Sequence, residues 1–189
     1  FCLWPTQTTE HSVKNSRWME GRGDVVAMLR RSCDKYGVKM GLYVSPWDRN
    51  AACYGTGKAY DDFFVRQITE LLTGYGEIAE VWFDGANGSE ADGKHQVYDW
   101  ARYIRTVKEL QPGAVTAIMG DDIRWVGNEA GRGRAEEWSA TALAPASVGL
   151  KDPTPAVEAL TETSPDLGSR AILDEAKELF WYPSEGDVS

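Results

Sequence analysis

Asp84 closes an apolar run, Ile78-Ala-Glu-Val-Trp-Phe-Asp-Gly-Ala-Asn87, where a buried strand gives way to a loop. Side chains alternate along a strand, so Trp82 and Asp84 share one face at its C-terminal end. Taking an ionised carboxylate out of water is costly unless it is paired or hydrogen-bonded. A carboxylate at that position is therefore either a catalytic group or a salt-bridged structural one. Gly85 lets the backbone turn sharply and clears space in front of it. A second set of acids follows in Gly120-Asp-Asp-Ile-Arg-Trp-Val-Gly-Asn-Glu-Ala-Gly131, with Asp121, Asp122 and Glu129 around Arg124 and Trp125. Paired acids flanking an aromatic surface are what glycoside hydrolysis requires: one protonated to donate to the leaving oxygen, one ionised to attack or to activate water. The same stretch also reads as a solvated loop in which Asp121 or Asp122 caps a helix and Arg124 forms a surface ion pair. Adjacent acids alone make no cage for a cation.

Other polar and aromatic residues stand at candidate loop positions. Ser45-Pro-Trp-Asp-Arg-Asn-Ala-Ala-Cys-Tyr-Gly-Thr-Gly57 places Trp47 beside Asp48 and Arg49. An aromatic next to polar groups suits the edge of a ligand site, and equally an Asp48–Arg49 turn with Trp47 folded onto the core. His11 is either a polar site residue or a surface histidine, and His95, at a predicted helix start, is structural. Of Tyr43 and Val44 one faces inward, and alternation alone leaves both open.

These residues need elements to position them. Apolar periodicity predicts helices over Val25 to Tyr36, with Val26, Leu29, Arg30 and Cys33 near one face, over Tyr60 to Tyr75, and over Gln96 to Leu110, with Val97 and Trp100 among its inward positions. Short β-rich runs cover Val38–Ser45, Ile78–Asp84 and Ala114–Met119, and Leu179–Pro183 is a further candidate strand. Strand, loop and helix repeat at roughly 35 to 40 residues, the rhythm of βα units around a parallel sheet buried on both faces. No GxGxxG follows any of these strands, which disfavours a doubly wound nucleotide-binding sheet and leaves a TIM-like (β/α)8 barrel. Such a barrel takes about 250 residues. The expectation for 189 residues is one catalytic barrel domain over 1–189, an incomplete central portion without its first and last strands. The stretch from Gly120 to Pro165 reads as an elaborated loop over a site.

Composition narrows the partners. A net charge of −9 argues against nucleic acid, whose phosphates call for clustered Lys and Arg. No apolar run is long enough to span a bilayer. Cys2, Cys33 and Cys53 form no CxxC or Cys/His cluster, so neither zinc nor a disulfide framework is indicated. Eight tryptophans hint at sugar binding, since an indole offers a flat apolar face with a donor at its rim.

Taken together, Phe1-Cys-Leu-Trp-Pro-Thr-Gln-Thr-Thr-Glu-His-Ser-Val-Lys-Asn-Ser16, "GLYVSPWDRN", "VWFDGANG", "IRWVGNEAG", "DLGSR" and "WYPSEGDVS" resemble the glycoside hydrolase family 29 α-L-fucosidases. The segments run in order through nearly the whole chain and look most like the branch acting on α-1,3/1,4-linked fucose. The resemblance implies a (β/α)8-like catalytic barrel and a retaining double displacement without cofactor or metal. It implies Asp84 as nucleophile and Glu129 as acid/base, with Glu185 at a later strand end in reserve. It implies Trp82 as the wall of the fucose site, and Trp4, His11, Tyr43, Trp47, Arg124 and Trp125 as pocket or aglycone-side contacts. The implied partner is a fucosylated oligosaccharide or glycan, and the implied setting a secreted or periplasmic bacterial enzyme. The family's paired histidines would fall just upstream of Phe1. Two rivals share the tryptophans: a non-catalytic carbohydrate-binding barrel fragment, and a barrel glycosidase for another sugar.

Overall fold

The computed structural model describes residues 1–88, 93–126, 133–134, 136–144, 160–161, 164, 167 and 169–186. The chain divides into two units, Phe1–Ala114 and Val115–Ser189. The first carries α1 (Val25–Tyr36), β1 (Gly41–Val44), α2 (Lys58–Gly74), β2 (Glu80–Phe83) and α3 (Trp100–Leu110). The second carries β3 (Val115–Ile118), β4 (Arg124–Trp125), β5 (Ala140–Thr141), α4 (Arg170–Glu175), β6 (Phe180–Trp181) and β7 (Ser184–Glu185). Strands and helices alternate through the first unit, so the predicted α/β character is observed.

Caps set the helix limits. Asp24 Oδ1 accepts the Ala27 N–H at 2.8 Å to start α1. Gly37 ends it at φ +66°, a conformation that costs glycine nothing. The stripe that turns inward runs through Val26, Arg30 and Cys33, at i, i+4 and i+7. Leu29, expected on that face, lies on its flank and is 45 % exposed. Helix α3 begins four residues later than its apolar pattern predicts. Asp99 caps it by accepting the Arg102 N–H at 3.1 Å. Residues 96–99 cannot join the helix because Gln96 is committed to a neighbouring loop, and Val97, expected inward, is 77 % exposed.

The core of the first unit lies between α2, α3 and one face of the strands. β1 and β2 are parallel, with Leu42 opposite Val81, Tyr43 opposite Trp82 and Val44 opposite Phe83. Val81 and Phe83 are buried, and Phe83 meets Phe64 of α2 with ring centroids 6.5 Å apart. Phe64 in turn packs on Tyr103 of α3 at 4.7 Å. Burying one such ring contributes about 1.5–3 kcal/mol relative to leaving it exposed. The opposite face behaves differently. Tyr43 is 62 % exposed and Trp82 half-buried, so the expectation of strands covered on both faces fails for this pair. What occupies the open face is a polar-tipped aromatic surface rather than an aliphatic one.

Glu70 of α2 fastens the N-terminal segment. Its Oε2 accepts the Trp4 indole N–H at 2.8 Å and the Thr6 hydroxyl at 2.5 Å, and its Oε1 accepts the Gln7 N–H at 2.9 Å. Hydrogen bonds to a charged group are worth about 1.5–3 kcal/mol apiece when buried, and these are partly solvated. Glu70→Ala in the full-length protein is therefore expected to lower the stability of this region by about 2 kcal/mol. Urea unfolding followed by tryptophan fluorescence checks it, with an unchanged midpoint as the contrary result.

In the second unit a tight turn follows β3. Asp122 Oδ2 accepts both the Thr116 N–H at 2.6 Å and the Thr116 hydroxyl at 2.8 Å. A Cβ on Gly120 would sit 2.5 Å from the Thr116 carbonyl carbon, so only glycine fits there. The capping role foreseen for Asp121 or Asp122 thus falls to Asp122, though it clamps a turn and not a helix. β4 pairs in parallel with β7, and β5 antiparallel with β6, the strand foreseen near 179–183. Ala142, Leu160 and Leu167 form a small core against which Leu143, Ile172 and Ala176 pack.

Candidate active site

Asp84 stands one residue beyond β2, on the open face with Trp82. Register places Tyr43 of β1 directly beside Trp82, and the two rings stack at 5.2 Å with an interplanar angle of 26°. That settles the choice between Tyr43 and Val44: Tyr43 is the residue on the aspartate's side. Its hydroxyl donates to Asp84 Oδ2 in a short contact, and the Ala86 N–H donates to Asp84 Oδ1 at 2.7 Å. Both partners are donors, so both carboxylate oxygens act as acceptors, the role an ionised carboxylate fills. Desolvation of the Tyr43 hydroxyl, and then its bond to Asp84, push its pKa up to about 12. The ring is largely exposed while the hydroxyl is tucked against the carboxylate, so Tyr43 remains a proton donor throughout the neutral range.

The loop carrying Asp84 is held from behind. Asn87 Oδ1 accepts the Tyr54 hydroxyl at 2.7 Å and the Gln96 N–H at 3.2 Å. Its amide nitrogen donates back to the Gln96 carbonyl. Gln96 is fully buried, and its side-chain oxygen accepts the N–H groups of Gly55 and Gly57 at 3.1 and 3.0 Å. His95 Nδ1 lies 3.1 Å from the Gly88 carbonyl, a structural role as expected, though in a loop and not at a helix start. Of these residues only Asn87 carried a signal in the sequence, as the polar residue of a short glycine-flanked loop. Tyr54 is far in sequence from Asn87 and Tyr98 and meets them only through the fold.

A cavity of about 590 Å³ in the first unit is lined by Trp4, His11, Tyr43 and Trp47. Four residues expected around the ligand therefore border one space. Trp4 also has its indole N–H turned to Glu70, so that donor is engaged. His11 is exposed and meets Phe1 edge-on at 5.0 Å. Trp47 sits at the rim, 36 % exposed, with the Arg49 guanidinium 5.9 Å from its ring, and is not folded into the core. Asp48 Oδ1 instead accepts the N–H groups of Asn50 and Ala51 at 2.8 and 2.9 Å, which fixes the turn.

The remaining candidates belong to the second unit. Arg124 was expected as a pocket contact or a surface ion pair, and it is buried, 1 % exposed. Its Nε donates to the Tyr182 carbonyl at 3.1 Å, and its Nη2 to Glu137 Oε2 at 2.7 Å and the Trp138 carbonyl at 2.9 Å. Arg134 pairs with the other oxygen of Glu137. The guanidinium is thus a tie between β4 and the segment that precedes β5. Trp125 lies in register with Glu185 across the β4–β7 pair, so these two are brought side by side. Glu129 lies outside the described residues. Among the described residues no group of three or more His, Cys, Asp or Glu side chains is arranged to hold a metal ion.

Comparison with known proteins gives these features a frame. The model of the alpha-L-fucosidase family matches residues 1–142. Alpha-L-fucosidase 1 of Arabidopsis thaliana is 42 % identical over 191 aligned residues, covering 100 % of this chain and 34 % of the plant protein. The crystal structure of a candidate alpha-L-fucosidase from Bacteroides ovatus is 58 % identical, with a TM-score of 0.88, over 100 % of this chain and 32 % of that one. A glycoside hydrolase 29 family member from an unknown rumen bacterium is 38 % identical, with a TM-score of 0.72, over 98 % of this chain and 32 % of that one. The chain spans about a third of the length of these relatives. With a match over 142 of its 189 residues, and with Asp84 held at a strand end on an aromatic face, the chain belongs to the alpha-L-fucosidase family.

Proposed function

We propose that the full-length protein is a retaining α-L-fucosidase that releases α-1,3/1,4-linked L-fucose from oligosaccharides or glycoconjugates. In this proposal the chain supplies the middle of a (β/α)8 barrel whose other strands lie outside these 189 residues. The parallel β1–β2 pair with α2 between its strands supports that architecture. The observation that carries the function is Asp84: a carboxylate at a strand's C-terminal end, gripped on both oxygens by donors, beside the stacked Tyr43 and Trp82.

In the first step Asp84 attacks the anomeric carbon while the bond to the leaving oxygen breaks, and Glu129 gives that oxygen its proton. In the second, water attacks the fucosyl ester, Glu129 takes the water's proton, and Asp84 departs as carboxylate. Retention places the two carboxyl groups about 5–5.5 Å apart. Trp82 offers an apolar wall for the sugar's C–H face and methyl group.

A panel of aryl glycosides given to the full-length protein tests the sugar. Hydrolysis is expected for the α-L-fucoside alone, and faster cleavage of another glycoside would overturn the assignment. Lewis-type trisaccharides compared with α-1,2-fucosylated ones test the linkage, with preferential fucose release from the former expected.

A further inference from the structure

The geometry points to Tyr98 as a positioning residue for Asp84, acting through the backbone of Ala86. This rests on the fucosidase proposal for its kinetic consequences and on the hydrogen-bond geometry alone for its mechanics. The Ala86 unit is gripped at both ends. Its N–H donates to Asp84 Oδ1 at 2.7 Å, and its carbonyl accepts the Tyr98 hydroxyl at 2.9 Å. The Tyr98 proton goes to Ala86, so Tyr54 is the donor in the 2.8 Å contact between the two phenols, its one proton shared with Asn87 Oδ1 at 2.7 Å. Hydrogen bonds thus connect Tyr54, at the edge of the polar cluster around Asn87 and Gln96, through Tyr98 and the Ala86 backbone to the carboxylate.

The path is rigid for a physical reason. The Ala86 N–H and C=O belong to the two planar peptide units that meet at its Cα, so fixing the carbonyl leaves the N–H only the φ and ψ of that one residue to turn about. Tyr98 is itself confined, because its ring meets Trp100 edge-on at 5.2 Å and Tyr54 at 6.5 Å. Burial and the bond to Tyr54 raise its pKa above the ordinary tyrosine range, so the hydroxyl stays a donor. The Tyr43 contact reaches the other carboxylate oxygen from β1 and does not depend on this path. Asp84 is consequently aimed from two sides, from β1 by Tyr43 and from the α3 side of its own loop by Tyr98. A misaimed carboxylate loses near-attack geometry and hence rate, not affinity.

The test is Tyr98→Phe in the full-length protein, which deletes one oxygen and keeps the ring packing. The expected result is a fall in kcat of about tenfold on an aryl α-L-fucoside, with KM within about twofold, the pattern of an interaction that matters in the transition state. Exchange of the Ala86 amide hydrogen, followed by NMR, is expected to accelerate by about tenfold. Tyr54→Phe, which removes the next link, should change both in the same direction. Tyr36→Phe, at a surface tyrosine 71 % exposed, should change neither. Unchanged kcat with unchanged Ala86 exchange overturns the inference, as does a rise in KM alone. If the unaltered protein releases no fucose, the functional proposal fails. Ala86 exchange then decides the positioning role by itself, faster supporting it and unchanged refuting it.

Discussion

Asp84→Ala in the full-length protein is expected to lower kcat for fucose release by at least about 10⁴-fold, the scale seen when a nucleophile is deleted from an enzyme whose binding surface survives. The structure says why little else should change. The side chain lies beyond the last residue of β2 and packs in no core, and the buried face of β2 is carried by Val81 and Phe83. Its loss frees two donors, the Tyr43 hydroxyl and the Ala86 N–H, both at a partly open surface where water can replace the carboxylate. The expected cost in stability is about 1 kcal/mol, and circular dichroism with a thermal melt measures it. The vacated space also admits an external anion. Azide is expected to restore turnover of an activated aryl fucoside and to yield fucosyl azide of inverted configuration, because a single displacement replaces the double one. Turnover near that of the unaltered protein would end the nucleophile assignment, and retained configuration in the azide product would contradict it as well.

Much of the arrangement around Asp84 is local, and local patterns are what a sequence displays. Alternation alone puts Trp82 and Asp84 on one face, and the structure agrees. The start and stop of α1 follow from Asp24 and Gly37, whose chemistry acts within one turn. The failures have a common cause. The first turn predicted for α3 loses Gln96 because its amide is claimed by Gly55 and Gly57, some forty positions earlier in the chain. Propensity yields to tertiary hydrogen bonding there. Leu29 and Val97 carry apolar side chains in helical rhythm, yet rhythm does not say which flank of a helix meets a neighbour. Tyr43 could be assigned to the site only once the β1–β2 register was known, since one step of slip exchanges its face with that of Val44. Arg124 is the instructive misplacement. A lone arginine among acids and glycines looks like a surface group, but it is buried against Glu137 and two backbone carbonyls contributed from 14 and 58 residues away.

The burial of Arg124 changes what that segment can do. A guanidinium that is 1 % exposed and bonded to Tyr182, Glu137 and Trp138 is a strut. It fixes β4 against the segment before β5 and the residue that follows β6, and so fixes Trp125, the next residue in the chain. Trp125 lies opposite Glu185 in the β4–β7 register, which keeps one carboxylate beside that indole whichever acid performs the proton transfer. The two acid/base candidates can therefore be separated by what each does to leaving groups.

Glu129→Ala is expected to divide substrates by how much help their leaving group needs. A natural glycan departs as an alkoxide unless it is protonated, so its release should fall by about 10³-fold or more, within the range assigned to general acid catalysis and above. An aryl fucoside with a good leaving group departs unaided. Its fucosyl–enzyme ester should form at near the normal rate and then accumulate, because the base that activates water is also gone. Steady-state turnover would slow while KM falls sharply, the signature of an intermediate that builds up. Azide needs no general base, so it should discharge the ester and restore turnover, giving fucosyl azide of retained configuration. The contrast with Asp84→Ala, where azide gives inversion, identifies which acid attacks and which transfers the proton. Glu185→Ala is the matched control. Equal loss on aryl and natural substrates in Glu129→Ala, with the divided pattern appearing in Glu185→Ala instead, would move the proton-transfer role to the carboxylate beside Trp125.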